Sequence, residues 1–355
     1  AKWQSLRLNL PVTPIHDLII HENDIVVATH GRSFWILDDL TLLYQVLEMK
    51  AGLPLFLFKP DKTYRFDGWY RKNPKNAGET LPNGVIVNYF LKEKPKEPVT
   101  LTFLDEAGKE IKTFCQKPAK KREPAVPAKA GLNRFIWDLS YPGPGDIEGA
   151  ISWGGGGFTP FAIPGKYKVR MTVGKEEIEK SFELVKDPNI PVTAQEYKEQ
   201  FDFAIKVRDK LAQTNDAVKE VRNIREQLEW ITGHTKDQPY FEKIDNAAKE
   251  LKKKLQPIED ALIQHKAKAF QDLLNFPIKV NDKLGNLGWS VLMSGGAPNK
   301  QAYDVYEYLA GKVDKQLTTL KQIVGTDVAA FNKTVHDLSV PAVILKHVVK
   351  EKKNK

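Results

Sequence analysis

The chain has 355 residues, 41% hydrophobic and 28% charged, proportions ordinary for a folded globular protein and too apolar for general disorder. At this length two or three domains are expected rather than one. The formal net charge of +9 would attract acidic partners, but the lysines of residues 243–254 and 312–321 are interspersed with Asp and Glu, as on a solvated helix face.

No apolar run approaches the roughly 20 residues that cross a bilayer; the strongest, residues 53–58, stops at Lys59-Pro60. The single cysteine, Cys115, excludes an internal disulfide and a multi-cysteine zinc site. Its alternating context (Ile111, Thr113, Cys115) reads as a small core or edge residue, and the compartment stays open. The N-terminal AKWQSLRLNLP has neither an initiator Met nor a signal-peptide pattern and reads as a mature or trimmed end. Two dense basic tracts, residues 117–122 and 350–355, have no recognised nucleic-acid motif beside them, so nucleic acid is not expected as a partner.

In chain order, HDLII, DIVVATH and SFWIL (residues 16–37) read as three short strands punctuated by Asn, Asp and Gly. Leu18, Ile19, Ile20, Ile25, Val26, Val27, Phe34, Trp35, Ile36 and Leu37 are more apolar side chains than three strands can bury among themselves. This sheet therefore needs a cover, either the following β domain or, preferentially, another polypeptide. Ile25, Val27, Phe34 and Trp35 are the expected interface residues. A short helix is predicted near residues 40–47, started by Asp38-Asp39, then Pro- and aromatic-rich loop to about residue 80.

Residues 85–91, 99–105, 110–116, 133–140, 167–173 and 176–185 alternate with the period of strands that bury one face. Turns at 106–109 and 174–175 fall where hairpins need them. Short strands at this spacing predict an immunoglobulin-like β-sandwich closed by Asp187-Pro188. Thr193 with Glu196 matches a capping box, and apolar residues from Tyr197 to Ile231 recur at helical spacing up to Gly233. A second helix is predicted over residues 240–274, kinked at Pro257, and a third from Pro298 to Ile323. Three long helices with short links predict an antiparallel bundle.

With these segments placed, the chain resembles the C-terminal third of large bacterial sortilin-like β-propeller proteins, often described as glycosyl hydrolases with bacterial neuraminidase repeats. The stations are residues 6–40 (LRLNLPVTPIHDLIIHENDIVVATHGRSFWILDDL), 99–114 (VTLTFLDEAGKEIKTF), 130–142 (AGLNRFIWDLSYP), 163–173 (IPGKYKVRMTV), the KDPN of residues 186–189, and 279–301 (KVNDKLGNLGWSVLMSGGAPNKQ). The resemblance implies that residues 1–46 are the closing strands of a propeller, and that 47–80 link them to a sandwich over 81–187. A helical bundle over 188–349 and a basic tail, 350–355, would follow. The fold class expected is thus multidomain α+β: a partial β-propeller edge, an immunoglobulin-like β-sandwich, then an antiparallel helical bundle. No complete Asp box is present, THGRSFWILDD being only a distant relative of a blade's last strand, so sialidase-like activity is not expected of this chain by itself.

Candidate chemistry is sparse. His16, His21 and His30 with Asp17, Asp24, Asp38 and Asp39 form the densest His and Asp cluster, but strand geometry gives no fixed reason for convergence; no metal and no cofactor are expected. His30 and Arg32 are placed in a tight blade turn and would line one rim of any propeller site. Trp153-Gly154-Gly155-Gly156-Gly157-Phe158 could in principle cradle an anion on bare amides. No Walker pattern follows, so it reads as a flexible sandwich loop. Trp153, beside the glycines, and Tyr141 are the aromatic candidates for stacking on a sugar, whereas Trp137 alternates with Phe135 and Leu139 and reads as core. Asp138, Asp146 and Glu148 are close in sequence with nothing to fix them across a cleft as a glycosidase requires. The expectation is a non-catalytic accessory or interaction segment of a secreted or periplasmic bacterial protein, with a protein partner or missing propeller portion. The alternatives are the C-terminal part of a glycoside hydrolase whose active site lies in absent blades, and a carbohydrate-binding module with a glycan partner.

Overall fold

A computed structural model describes residues 5–50, 52–66, 81–118 and 123–342. Residues 67–80 of the expected linker, 119–122 of the basic loop, the bundle end 343–349 and the basic tail 350–355 lie outside the described residues. The protein is mixed α+β and divides into two compact units. One comprises Ala1–Phe66, Tyr70–Leu139 and Pro164–Lys186, the other Asp67–Trp69, Ser140–Ile163 and Asp187–Lys355.

The first unit holds all the strands among the described residues. β1 (Ile15–His21), β2 (Asp24–Thr29) and β3 (Phe34–Leu37) form an antiparallel sheet in that order. Helix α1 (Thr41–Glu48) follows, and the Asp39 carboxylate accepts the Thr41 amide at 3.1 Å, as a helix start requires. The expected linker is not all loop: Leu55–Leu57 is a strand, β4, and Thr63–Arg65 another, β5. Three residues are too few to show a period in sequence, yet Leu57 and Phe58 are almost wholly buried. β4 joins β6 (Val85–Leu91) and β9 (Gly131–Trp137) in a sheet ordered β4-β6-β9. β5 adds in parallel to a five-stranded sheet ordered β5-β11-β10-β7-β8, whose other members are β7 (Val99–Asp105), β8 (Glu110–Cys115), β10 (Gly165–Val173) and β11 (Glu176–Lys186).

Aromatic rings join these two sheets. Along β9, Asn133, Phe135 and Trp137 point inward while Leu132, Arg134 and Ile136 point out. Trp137 stacks on Phe103 of β7 at 4.5 Å and meets Tyr167 and Phe182 edge-on, while Phe135 meets Phe114 of β8 at 4.9 Å. Such pairs add about 0.5–1.5 kcal/mol each beyond their buried area. Tyr89, its ring fully buried, donates its hydroxyl to the Pro127 carbonyl, and burial raises its pKa. Cys115 is half-buried on β8 with its thiol on the Lys117 carbonyl at 3.1 Å.

The second unit is helical. The capping box opens α2 (Ala194–Thr235): Thr193 Oγ1 accepts the Glu196 amide at 3.2 Å and Glu196 accepts the Thr193 amide at 2.8 Å. The Thr193 amide, and the Thr193 hydroxyl donating to the same oxygen at 2.7 Å, hold the Glu196 carboxyl below its ordinary value. The helix was expected to end at Gly233 but runs through it to Thr235. α3 (Phe241–Leu262) accommodates Pro257 but stops well before residue 274. There Asp272 accepts the Lys268 and Ala269 amides at 2.8 and 2.9 Å and builds a separate 3-10 turn, Phe270–Leu274, a local side-chain alternative to continuing the helix. α4 (Val280–Leu292) is an element that periodicity did not show. α5 (Lys300–Ile323) is capped by Asn299, whose side chain accepts the Ala302 amide at 2.9 Å, so Pro298 lies outside the helix. A π-helical turn, Val324–Val328, leads into α6 (Ala329–Asp337).

The helices share one core in which Val207, Val221, Ile244, Leu255, Leu284 and Val313 are fully buried. Between α2 and α3, the buried Glu259 receives Arg222 at 2.8 Å and also Arg225. Phe158, from the segment Ser140–Ile163, belongs to the same core. That segment was expected to be part of the sandwich; its packing assigns it to the helical unit.

Candidate functional site

The sheet β1–β3 is the most exposed apolar structure among the described residues. Register pairs Ile20 with Ile25, Leu18 with Val27, Ile25 with Leu37 and Val27 with Trp35, which puts Leu18, Ile20, Ile25, Val27, Trp35 and Leu37 on one face. Ile19, Val26, Phe34 and Ile36 occupy the other. None of the sheet's residues is buried; Leu18 is 53% exposed, Ile20 61%, Phe34 73% and Ile36 58%. Residues 6–13 run beside the first face and leave a groove of about 450 Å³, lined by Leu8, Val12, Leu18, Val27 and Trp35 among others. Of the four expected interface residues, Ile25, Val27 and Trp35 therefore share a face. Phe34 does not, because adjacent residues of a strand point to opposite sides.

The β2–β3 turn carries His30 and Arg32. Thr29 donates its amide and hydroxyl to the Ser33 carbonyl at 3.3 and 2.5 Å, and the Trp35 indole N–H donates to the Arg32 carbonyl at 2.9 Å. The Arg32 backbone thus shapes the turn while its side chain is exposed. His30 Nδ1 lies 3.1 Å from His16 Nε2. At the opposite end of β2, Asp24 accepts the Asp39 amide at 2.9 Å, and burial together with the Asp24 charge raises the pKa of Asp38.

Trp153 and Tyr141, the other two ligand-binding candidates, belong to the helical unit. The structure does not place them in one compact unit with His30 and Arg32. Tyr141 meets Phe201 of α2 edge-on at 4.9 Å. Trp153, 38% exposed, stacks on Phe270 at 4.7 Å and 9°, which occupies one face of its indole.

The glycine run is a docked loop rather than a free one. Asp282 of α4, itself buried, accepts Ser152 Oγ at 2.5 Å, the Trp153 amide at 2.6 Å and the Gly155 amide at 2.8 Å. The loop amides do cradle an anion, and that anion is the chain's own carboxylate. Asn286 donates to the Trp153 carbonyl at 3.1 Å and the Trp289 indole to the Gly156 carbonyl at 3.2 Å. A Cβ on Gly285 would stand 1.9 Å from the Gly155 carbonyl oxygen, and one on Gly288 would stand 2.5 Å from the Phe158 ring. Loop and helix therefore touch backbone to backbone, which only glycine allows.

No protein-family model matches this chain, and no curated protein matches it either.

Among the described residues no three His, Cys, Asp or Glu side chains gather as a metal site, and no helix is long and apolar enough to cross a membrane. Sequence reasoning missed Asp282, Asn286 and Phe270. The available signal was the pair of glycines at 285 and 288 inside a segment otherwise able to form a helix, since glycine in a helix interior costs about 1 kcal/mol unless close packing needs it.

Proposed function

We propose that this chain is a non-catalytic accessory or interaction segment of a secreted or periplasmic bacterial sortilin-like β-propeller protein. In this reading β1–β3 are closing strands of the propeller, the two larger sheets are an immunoglobulin-like sandwich, and α2 to α6 form an antiparallel bundle. The supporting observation is the apolar character of both faces of β1–β3 with no side chain buried. An antiparallel sheet with one solvated face alternates apolar with polar residues. The uninterrupted runs LII, IVVA and FWIL suit a layer covered on both sides, as a blade is by its neighbours. Covering each half-exposed Leu, Ile or Phe is worth on the order of 1 kcal/mol before ordering costs, so several acting together hold a stable contact.

Hydrogen exchange tests this reading. The amides of β1 and β3 are expected to be protected in the protein isolated from its native source and to exchange rapidly in the 355-residue chain alone. The double substitution Ile25→Lys with Val27→Lys is expected to abolish the native protection while leaving the helical circular dichroism unchanged. Equal protection in both preparations overturns the proposal.

A further inference from the structure

The same strands bring two histidines together. Ile15 pairs with Thr29 and Asp17 with Ala28, so His16 stands in a register shift with no residue opposite it. A bulge of this kind re-aims the side chain it carries. Just past the end of β2 the His30 amide donates to the Pro14 carbonyl at 3.0 Å and the His30 carbonyl accepts Thr13 Oγ1 at 2.9 Å, which ties the His30 backbone to the approach into β1. His16 Nε2 and His30 Nδ1 consequently sit 3.1 Å apart, with ring centroids separated by 5.1 Å and both side chains exposed. Imidazole nitrogens bind zinc at about 2.0–2.1 Å, so two ligands of one cation lie roughly 2.9–3.4 Å apart for tetrahedral or square geometry. The observed spacing falls inside that range, and the two stacked rings, inclined at 29°, need only turn about their side-chain bonds to bring both lone pairs onto one ion.

We propose that His16 and His30 form a two-imidazole chelate for one borderline divalent transition cation, zinc(II) or copper(II), with water in the remaining coordination positions. The neighbouring Asp17 carboxylate accepts the Leu18 amide at 2.9 Å, which fits a two-ligand rather than a three-ligand site. In the free pair one ring donates its N–H to the other's lone pair. On binding, that proton moves to the far nitrogen of its own ring, so both facing lone pairs reach the metal and each ring keeps one hydrogen. No net proton is released from a neutral pair, whereas an imidazolium must first lose its proton, so affinity falls as pH falls. Copper binds more tightly than zinc, and magnesium, which prefers oxygen ligands, does not compete.

Calorimetric titration of the full chain with Zn²⁺, Cu²⁺ and Mg²⁺ tests the site, using His16→Gln, His30→Gln and, as control, His21→Gln. The expected result is one saturable equivalent of zinc or copper and none of magnesium. Either His16→Gln or His30→Gln lowers the affinity about tenfold or more, because the second imidazole binds intramolecularly, while His21→Gln leaves it unchanged. Losses of about twofold or less in both variants would mark independent surface imidazoles and overturn the chelate, as would a wild-type chain with no saturable equivalent. Both rings are exposed, so the variants are expected to melt as the wild type does; should His30→Gln disturb the turn, His16→Gln decides.

Discussion

Gly155 and Gly285 show what a residue without a side chain can specify. The space a methyl group at Gly285 would take is already filled by the Gly155 carbonyl and its neighbouring backbone atoms, so relief requires moving the loop or the helix. Gly285→Ala is expected to destabilise the helical unit by roughly 1–3 kcal/mol, the usual cost of overpacking. Gly311, exposed inside α5 with nothing within 4 Å of its Cβ position, has no such constraint. Gly311→Ala is expected to be neutral or to stabilise by up to about 1 kcal/mol through helix propensity. Urea denaturation of the two variants provides the comparison, and equal midpoints would contradict the close-approach account. In sequence the two differ only in that Gly285 recurs with Gly288 three residues on, whereas Gly311 stands singly in its helix.

Among the elements, β1–β3 makes a demand on both of its faces. If the sheet is covered as a blade is, lysines at Phe34 and Ile36 should remove the native hydrogen-exchange protection as thoroughly as lysines at Ile25 and Val27. A silent Phe34/Ile36 pair would show that only one face docks. These strands, the longer strands of the two larger sheets and the Thr193–Glu196 start of α2 were legible because each is set by neighbours a few residues away: alternation, turn residues, a cap. What was not legible depends on distant or very short determinants. β4 and β5 are three residues each and acquire strand form from β6 and β11. α3 ends at Leu262, where Ile263 turns extended, and Asp272 starts a separate turn further on by capturing two amides, while α4 tolerates its glycines because a loop occupies the space they leave. The meeting of His16 with His30 depends on one register shift that no residue pattern announced.

At the scale of the whole molecule, the helical unit is assembled from segments that are not contiguous in the chain, with β10 and β11 lying between Ser140–Ile163 and Asp187 onward. A fragment of residues 187–342 should therefore lack a core side chain, Phe158, and the three donors that satisfy Asp282. Loss of a large buried aromatic alone costs about 3–5 kcal/mol. The fragment is expected to retain helical circular dichroism but to melt at lower temperature and less cooperatively than the helical unit of the full chain. Melting indistinguishable from the full chain would show that residues 140–163 are dispensable to it. The separation also imposes a timetable on synthesis. Ser152 leaves the ribosome 130 residues ahead of Asp282, an interval of roughly 10 s at ordinary translation rates. Throughout it the loop amides wait for a carboxylate not yet made, even after α2 has emerged to meet the Pro142, Gly145 and Glu148 carbonyls, so the nascent chain carries this corner of its own core open until α4 follows.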